Sequence, residues 1–242
     1  GSDTKVTNSN GQTVTVTLTS GQPCDDTLKA GLYLPASLGD FVWHDENANG
    51  IQDSGEKGIG GVTVRLYKSG AVVDTTTTLA DGKYQFNNLA PGSYSVEFEK
   101  PSVYDSFSPS DQGGDNEKNS DADIADGKTD STTLQSGSVD NSLDAGLYRN
   151  TCLGGLAWVD SNGNGIKDSS ESGLKEVSVT LYRKDDFGGA DVQKGATSTD
   201  SSGAYSYSDL QPGTYYVVFA KPTGSDYLFI LESTGSDTKV TN

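Results

Sequence analysis

Apolar and polar residues alternate along much of the chain. Val62, Val64 and Leu66 interleave with Thr63, Arg65 and Tyr67, and Tyr84-Gln85-Phe86 and Tyr94-Ser95-Val96-Glu97-Phe98 repeat the pattern. A period of two sends successive side chains to opposite faces of a strand. Turn dipeptides such as Asp81-Gly82 and Pro91-Gly92 separate the runs, at the spacing of roughly 8–12 residues usual in antiparallel sandwiches. No helical period of useful length is present. The pattern predicts an all-β chain of antiparallel β-sandwiches, with Thr13-Val14-Thr15-Val16-Thr17-Leu18 as a further alternating strand.

The pattern also repeats at long range. Leu38-Gly39-Asp40-Phe41-Val42-Trp43-His44-Asp45 returns as Leu153-Gly154-Gly155-Leu156-Ala157-Trp158-Val159-Asp160, an offset of 115. Val62, Val64, Leu66 and Tyr67 return as Val177, Val179, Leu181 and Tyr182. Leu89-Ala90-Pro91-Gly92 returns as Leu210-Gln211-Pro212-Gly213, so the second copy carries six extra residues around Asp185–Asp191. Gly1–Asn8 recurs without change as Gly235–Asn242, and Ser142-Leu143-Asp144-Ala145-Gly146-Leu147-Tyr148 parallels Thr27-Leu28-Lys29-Ala30-Gly31-Leu32-Tyr33. Residues 1–35 therefore read as the closing strands of a preceding or neighbouring module, and 36–150 as a complete module. Residues 151–242 read as the opening part of a second module, completed by the next copy's 1–35. The expectation is a window on an array with a period of 234, its units linked by chain continuity or by strand donation, so the first partners are copies of the same chain.

Composition narrows the chemistry. The net charge is −17, from 34 acidic and 17 basic residues, which argues against nucleic acid as a partner and for cations. Apolar residues make up 32% of the chain and no long apolar run occurs, so no membrane span is expected in this segment. One histidine and two cysteines leave little for enzyme chemistry. His44 is replaced by Val159 in the repeat, and no Ser–His–Asp set, phosphate loop or zinc spacing is present. The chain is expected not to be an enzyme. Trp43 and Trp158 are expected to anchor the core.

One motif carries chemistry, and it occurs twice. Asp45-Glu46-Asn47-Ala48-Asn49-Gly50-Ile51-Gln52-Asp53-Ser54-Gly55-Glu56 and Asp160-Ser161-Asn162-Gly163-Asn164-Gly165-Ile166-Lys167-Asp168-Ser169-Ser170-Glu171 both fit D-x-[DN]-x-[DN]-G-x5-E. Ca²⁺ takes about six to eight hard oxygens. Asp45, Asn47 and Asn49, and Asp160, Asn162 and Asn164, would supply side-chain oxygens from one tight turn. Gly50 and Gly165 permit the bend. The carbonyls of Ile51 and Ile166 would point inward, Asp53 and Asp168 would bind directly or through water, and Glu56 and Glu171 would close the sphere. Strand patterns flank both loops, so these are not EF-hands. A bland alternative, an Asx-rich turn with no ion, is weakened by the second match at the same place.

The order G-D-F-V-W, calcium-type loop, G-V-x-V-x-L-Y, then D-G-x-Y-x-F-x-x-L-x-P-G-x-Y-x-V-x-F-x-K-P resembles the B-domain of serine–aspartate-repeat surface proteins, related to collagen-adhesin B-type modules. The resemblance covers nearly the whole chain. It implies tandem prealbumin-like (immunoglobulin-like) sandwiches, several Ca²⁺ per module, and a stalk, fibre or surface-layer role outside the cell. It implies further ligands in Asn119-Ser120-Asp121-Ala122-Asp123, namely Asp121 and Asp123; the second module has only Ser236-Asp237 there. No first strand offers a lysine for the isopeptide bond of collagen-adhesin modules. In this family the first and last strands are neighbours, so Cys152 and the next copy's Cys24 could meet; Ser37 and Val139 occupy the matching positions of the first module. That implies a disulfide between successive copies in an oxidising compartment. The alternative function is a ligand-binding adhesin module, its site on the Lys184–Val192 insertion or the 102–126 loop.

Overall fold

The computed structural model describes residues 6–185 and 189–230. They form fifteen strands and no helix. Ten precede residue 150: β1 (Ala36–His44), β2 (Lys57–Gly58), β3 (Thr63–Lys68), β4 (Ala71–Thr77), β5 (Lys83–Leu89), β6 (Gly92–Phe98), β7 (Ser106–Phe107), β8 (Thr132–Leu134), β9 (Val139–Asp140) and β10 (Ala145–Tyr148). Five follow: β11 (Thr151–Leu156), β12 (Ser178–Arg183), β13 (Val192–Ser198), β14 (Ala204–Leu210) and β15 (Tyr215–Ala220).

In the first ten strands one sheet runs β4-β3-β6-β8. The other is built on β1, which pairs antiparallel with β5 and β2 and parallel with β9 and β10; β7 lies beyond β10. The alternation predicted from sequence decides which side chains face inward. Leu38 and Val42 of β1, Val64 and Leu66 of β3, Tyr84 and Phe86 of β5, Val96 and Phe98 of β6, and Leu147 of β10 form one buried cluster. The buried Tyr84 hydroxyl donates to the Leu143 carbonyl at 2.6 Å, which ties β5 to the closing segment. Trp43 is fully buried but not in that cluster. Its ring passes beneath Gly146, where a Cβ would come within 2.8 Å of it.

The second group of strands has fewer partners. β12 lies between β13 and β15, and β11 pairs with β14. The β11–β14 register, with Leu153 opposite Tyr207, reproduces that of Leu38 opposite Phe86. Val177, Val179 and Leu181 are buried, but Trp158, Tyr205 and Phe219 are only half-buried. A cavity lined by Leu156, Trp158, Val177 and Phe219 opens beside Ala157–Asp160.

Thr13–Leu18, expected as a strand, makes only a Val6–Thr13 bridge within this chain. An extended segment becomes a strand only where a neighbouring edge takes its backbone groups. Leu18 and Leu32 are 72% and 92% exposed. The exact repeat of Gly1–Asn8 with Gly235–Asn242 lies largely outside the described residues, as do Ser236-Asp237 and the centre of the Lys184–Val192 insertion.

Candidate metal centre

The two twelve-residue loops fold alike. In the first, the Asp45 carboxylate accepts from the Gly50 N–H at 2.8 Å and the Asn49 N–H at 3.3 Å. In the second, Asp160 accepts from Gly165 at 2.7 Å and Asn164 at 3.2 Å. Glu56 closes its loop by accepting from the N–H groups of Glu46 at 2.8 Å and Asp53 at 2.9 Å. Glu171 does the same with Ser161 at 2.7 Å and Asp168 at 3.1 Å. The side-chain amides of Asn47 and Asn49 both donate to Asp53, and those of Asn162 and Asn164 both donate to Asp168. Gly50 and Gly165 adopt φ of 78° and 73°, and a Cβ on Gly50 would strike the Pro109 carbonyl at 2.1 Å. So the glycine serves both the bend and the packing.

The predicted side-chain ligands of each loop are thus tied to one another and to the loop backbone by hydrogen bonds. Among the described residues, no group of three or more Asp, Glu, His or Cys forms a ready-made metal cluster. The donor set nevertheless fits a hard cation. Asp45 is fully buried, and burial together with the Asp45 and Asp53 charges pushes Glu56 above the usual carboxylate range. The asparagine amides now turned to Asp53 and Asp168 carry the oxygens an ion would need.

The loops differ in their support. The Asp45 N–H donates to the Leu147 carbonyl of β10 at 2.9 Å. The 102–126 segment braces the first loop from the other side through an Ile51–Asn119 bridge, Gln52 N–H to the Lys118 carbonyl at 2.7 Å and Ser120 N–H to the Gly50 carbonyl at 2.9 Å. That segment has a structural role before any ligand is considered. Asp160 is half-buried where Asp45 is closed off.

A second acidic cluster lies under this segment. Asp121 and Asp123 line one cleft with Asp111 and Asp126. Asp121 and Asp144 exchange bonds: the Asp144 N–H donates to the Asp121 carboxylate at 2.7 Å, and the Asp121 N–H donates to the Asp144 carbonyl at 2.9 Å. The Asp144 carboxylate accepts from the Phe41 N–H at 2.8 Å. Burial first, then the Asp40 charge, raises Asp144 to about 9. Burial, with Asp111 and Asp140, raises Asp121 to about 7. Sequence reasoning placed Asp111 in the acidic 110–127 loop but missed Asp144 and Asp40 as members of this cluster. Asp144 stands where the parallel segment has Lys29, and only the fold places it beside Asp40.

The consequence for pH is definite in sign. Both carboxyls hold protons in the folded chain that an unfolded chain releases near pH 4. Their contribution is therefore full at acid pH and is lost as pH rises through about 7 and about 9. In chelator the melting temperature of residues 36–150 should fall from pH 5 to pH 9. Asp144→Asn keeps an acceptor for Phe41 and should recover about 1–3 kcal/mol at pH 8. An unchanged pH slope in D144N, followed by circular dichroism, would count against this burial cost.

Cys24 and Cys152 are both exposed and free within the single chain. His44 stacks edge-on to Tyr104 at 5.4 Å.

Comparison with known proteins places these features in a family. The SdrD B-like domain matches residues 36–147 and again 151–242. Serine-aspartate repeat-containing protein E of Staphylococcus aureus (strain USA300) is 42% identical over 222 residues, covering 89% of this chain and 18% of that protein. Serine-aspartate repeat-containing protein D of S. aureus (strain Newman) is 40% identical over 235 residues, covering 96% and 17%. The chain thus spans less than a fifth of these relatives. Among solved structures, a streptococcal ancillary pilin aligns at 14% identity over 89% of this chain and 63% of its own, with a TM-score of 0.31; nothing further rests on so loose a likeness. The chain belongs to the SdrD B-like domain family, and it is an extracellular, cell-surface module of structural rather than enzymatic character.

Proposed function

We propose that this chain is a calcium-stiffened spacer repeat of a stalk, fibre or surface layer, built by joining copies of itself end to end. The observation that carries the reading is the loop pair. Two loops 115 residues apart share one hydrogen-bond pattern, in which Asp45 and Asp160 accept from the glycine N–H and Glu56 and Glu171 accept from two backbone N–H groups of their own loop. A bound Ca²⁺ would supply the positive charge that these carboxylates lack. Asp45, Asn47, Asn49, Ile51, Asp53 and Glu56 would hold one ion, and Asp160, Asn162, Asn164, Ile166, Asp168 and Glu171 another. Asp121 and Asp123 are candidates for a further one. Holding the loop ends together fixes the strand that enters and the strand that leaves, which resists extension under load.

Isothermal titration of the chelator-treated chain with calcium tests the reading. At least two sites are expected, and Glu56→Gln and Glu171→Gln should each weaken one site about tenfold or more, by removing the closing charge. Absence of calcium heat and of any calcium-dependent change in near-ultraviolet circular dichroism would defeat it.

A further inference from the structure

The first ten strands contain a template for what the last five lack. In the first group, β8, β9 and β10 close the sandwich: β8 lies along β6, and β9 and β10 run parallel to β1. Among the described residues no strand takes the equivalent places beside β15 and β11, and the cavity next to Trp158 is bounded by Ala157–Asp160, Val177 and Phe219 and by Tyr227–Ile230 of the same chain.

A segment of this chain parallels β9 and β10 directly, and its Thr17-Leu18 stand where β8 has Thr133-Leu134, with one extra residue, Pro23, between the two stretches. Residues 24–33 align with 139–148 without a gap, and Leu147, fully buried in β10, corresponds to Leu32, 92% exposed. The exposed segment already carries the local geometry of the seated one. Gly21 has φ of 81° where Gly137 has 77°. The Gln22 N–H donates to the Thr19 carbonyl at 3.3 Å, as Ser138 does to Gln135 at 3.2 Å. Asp25 accepts from the Thr27 N–H at 2.9 Å and hydroxyl at 2.6 Å; Asp140 accepts from Ser142 at 3.1 Å and 2.7 Å. Preshaped turns lower the ordering cost of docking.

We propose that residues 16–33 of a second copy of this chain dock on the open side of the 151–230 strands, in the register that β8, β9 and β10 hold in the first group. The inference rests on the array reading above, and it specifies how the units join. The register follows from observed pairs. Val42 opposite Ala145, Trp43 opposite Gly146 and His44 opposite Leu147 become Ala157 opposite Ala30, Trp158 opposite Gly31 and Val159 opposite Leu32 of the second copy. Leu32 then fills the apolar cavity, and its carbonyl meets the Asp160 N–H as that of Leu147 meets Asp45. Gly31 is required, because Gly146 passes the Trp43 ring with no room for a Cβ. The one change of charge sign, Asp144 to Lys29, coincides with Asp40 becoming Gly155, so the composite module has no carboxylate pair to bury there.

The same register settles where the cysteines fall. Ser37 and Val139 are direct partners in the parallel β1–β9 pair. Their counterparts are Cys152 and the second copy's Cys24. Neighbouring strands lie about 4.8 Å apart, within the Cα separation of roughly 4.4–6.8 Å that a disulfide spans. Val139 is 65% exposed, so the bond would lie on the open face. Its formation removes two protons and two electrons from the two thiols. A low-molecular-weight disulfide such as oxidised glutathione takes them up and leaves as two thiols.

The test mixes two variants of the full chain, Cys24→Ser, which keeps only the acceptor thiol, and Cys152→Ser, which keeps only the donor thiol. In a glutathione redox buffer the mixture should give a Cys24–Cys152 heterodimer at least tenfold faster than either variant gives homodimers. Adding Gly31→Val to the donor should return the rate to the homodimer level while leaving the donor's own melting curve unchanged, since Gly31 is exposed. Equal hetero- and homodimer rates, indifference to G31V, or an intrachain Cys24–Cys152 bond in the unmutated monomer would overturn the proposal. Repeating the reaction in chelator separates the two readings. Cross-linking without any calcium effect keeps the docking and removes the calcium role; a calcium effect without selective cross-linking does the reverse.

Discussion

Removing calcium should lower the melting temperature of this chain and open both acidic loops to protease. A ligand that binds only the folded state stabilises by RT ln(1 + [L]/Kd), about 2.7 kcal/mol per site at a hundredfold excess over Kd. For a unit of roughly 100 residues, each kcal/mol shifts the melting temperature by about 4–8 °C. The two loops should not respond equally. Asp45 is sealed by β10 through the Leu147 carbonyl and braced by the 102–126 segment, whereas Asp160 is half-buried beside an open cavity. Cleavage in chelator should therefore appear first within Asp160–Glu171 and later within Asp45–Glu56. Differential scanning calorimetry in millimolar calcium and in EDTA, with timed proteolysis and mass mapping, checks both points. Superimposable melting curves would rule calcium out as a stabiliser.

Leu147→Ala and Leu32→Ala should have opposite weights in the isolated chain, although the two leucines occupy matching positions. Leu147 is fully buried in β10 against the sandwich core. Truncating such a leucine costs about 2–5 kcal/mol, from lost transfer energy and the cavity left behind. Leu32 is 92% exposed, and its truncation should move stability by less than about 0.5 kcal/mol. Urea melts of the two variants decide this. A Leu32→Ala chain that loses as much as Leu147→Ala would mean that residues 27–33 are already packed within their own chain. With cross-linked pairs of chains the contrast should shrink, because Leu32 of the donor then lies in the acceptor's cavity.

Much of this was legible before the fold was known, because its causes are local. Val64 and Leu66 alternate with Thr63 and Arg65, and they do line the core. The D-x-N-x-N-G spacing is a statement about one turn, and one turn is what Gly50 and Gly165 form. What local reasoning left open was the partner. Thr13–Leu18 has the composition of a strand but makes no ladder in this chain, since alternation says which faces a strand has and not whether an edge waits for it. Trp43 was expected among the core residues and is indeed buried, but outside the main cluster and beneath Gly146, which periodicity alone could not distinguish.

The sequence by itself therefore determined the strand class, the two acidic loops and the repeat that relates 24–33 to 139–148. Each depends on residue identity and short spacing, which folding does not alter. Only the tertiary structure decided that β1 and β10 pair in parallel with Val42 opposite Ala145, that Ser37 and Val139 face each other, and that Asp144 is buried beside Asp121. The two strand pairings join residues about a hundred positions apart, and the carboxylate contact joins residues 23 apart. Nothing in the intervening chain encodes their register except the summed fit of buried side chains and paired backbone groups, which exists only once the sheets are assembled.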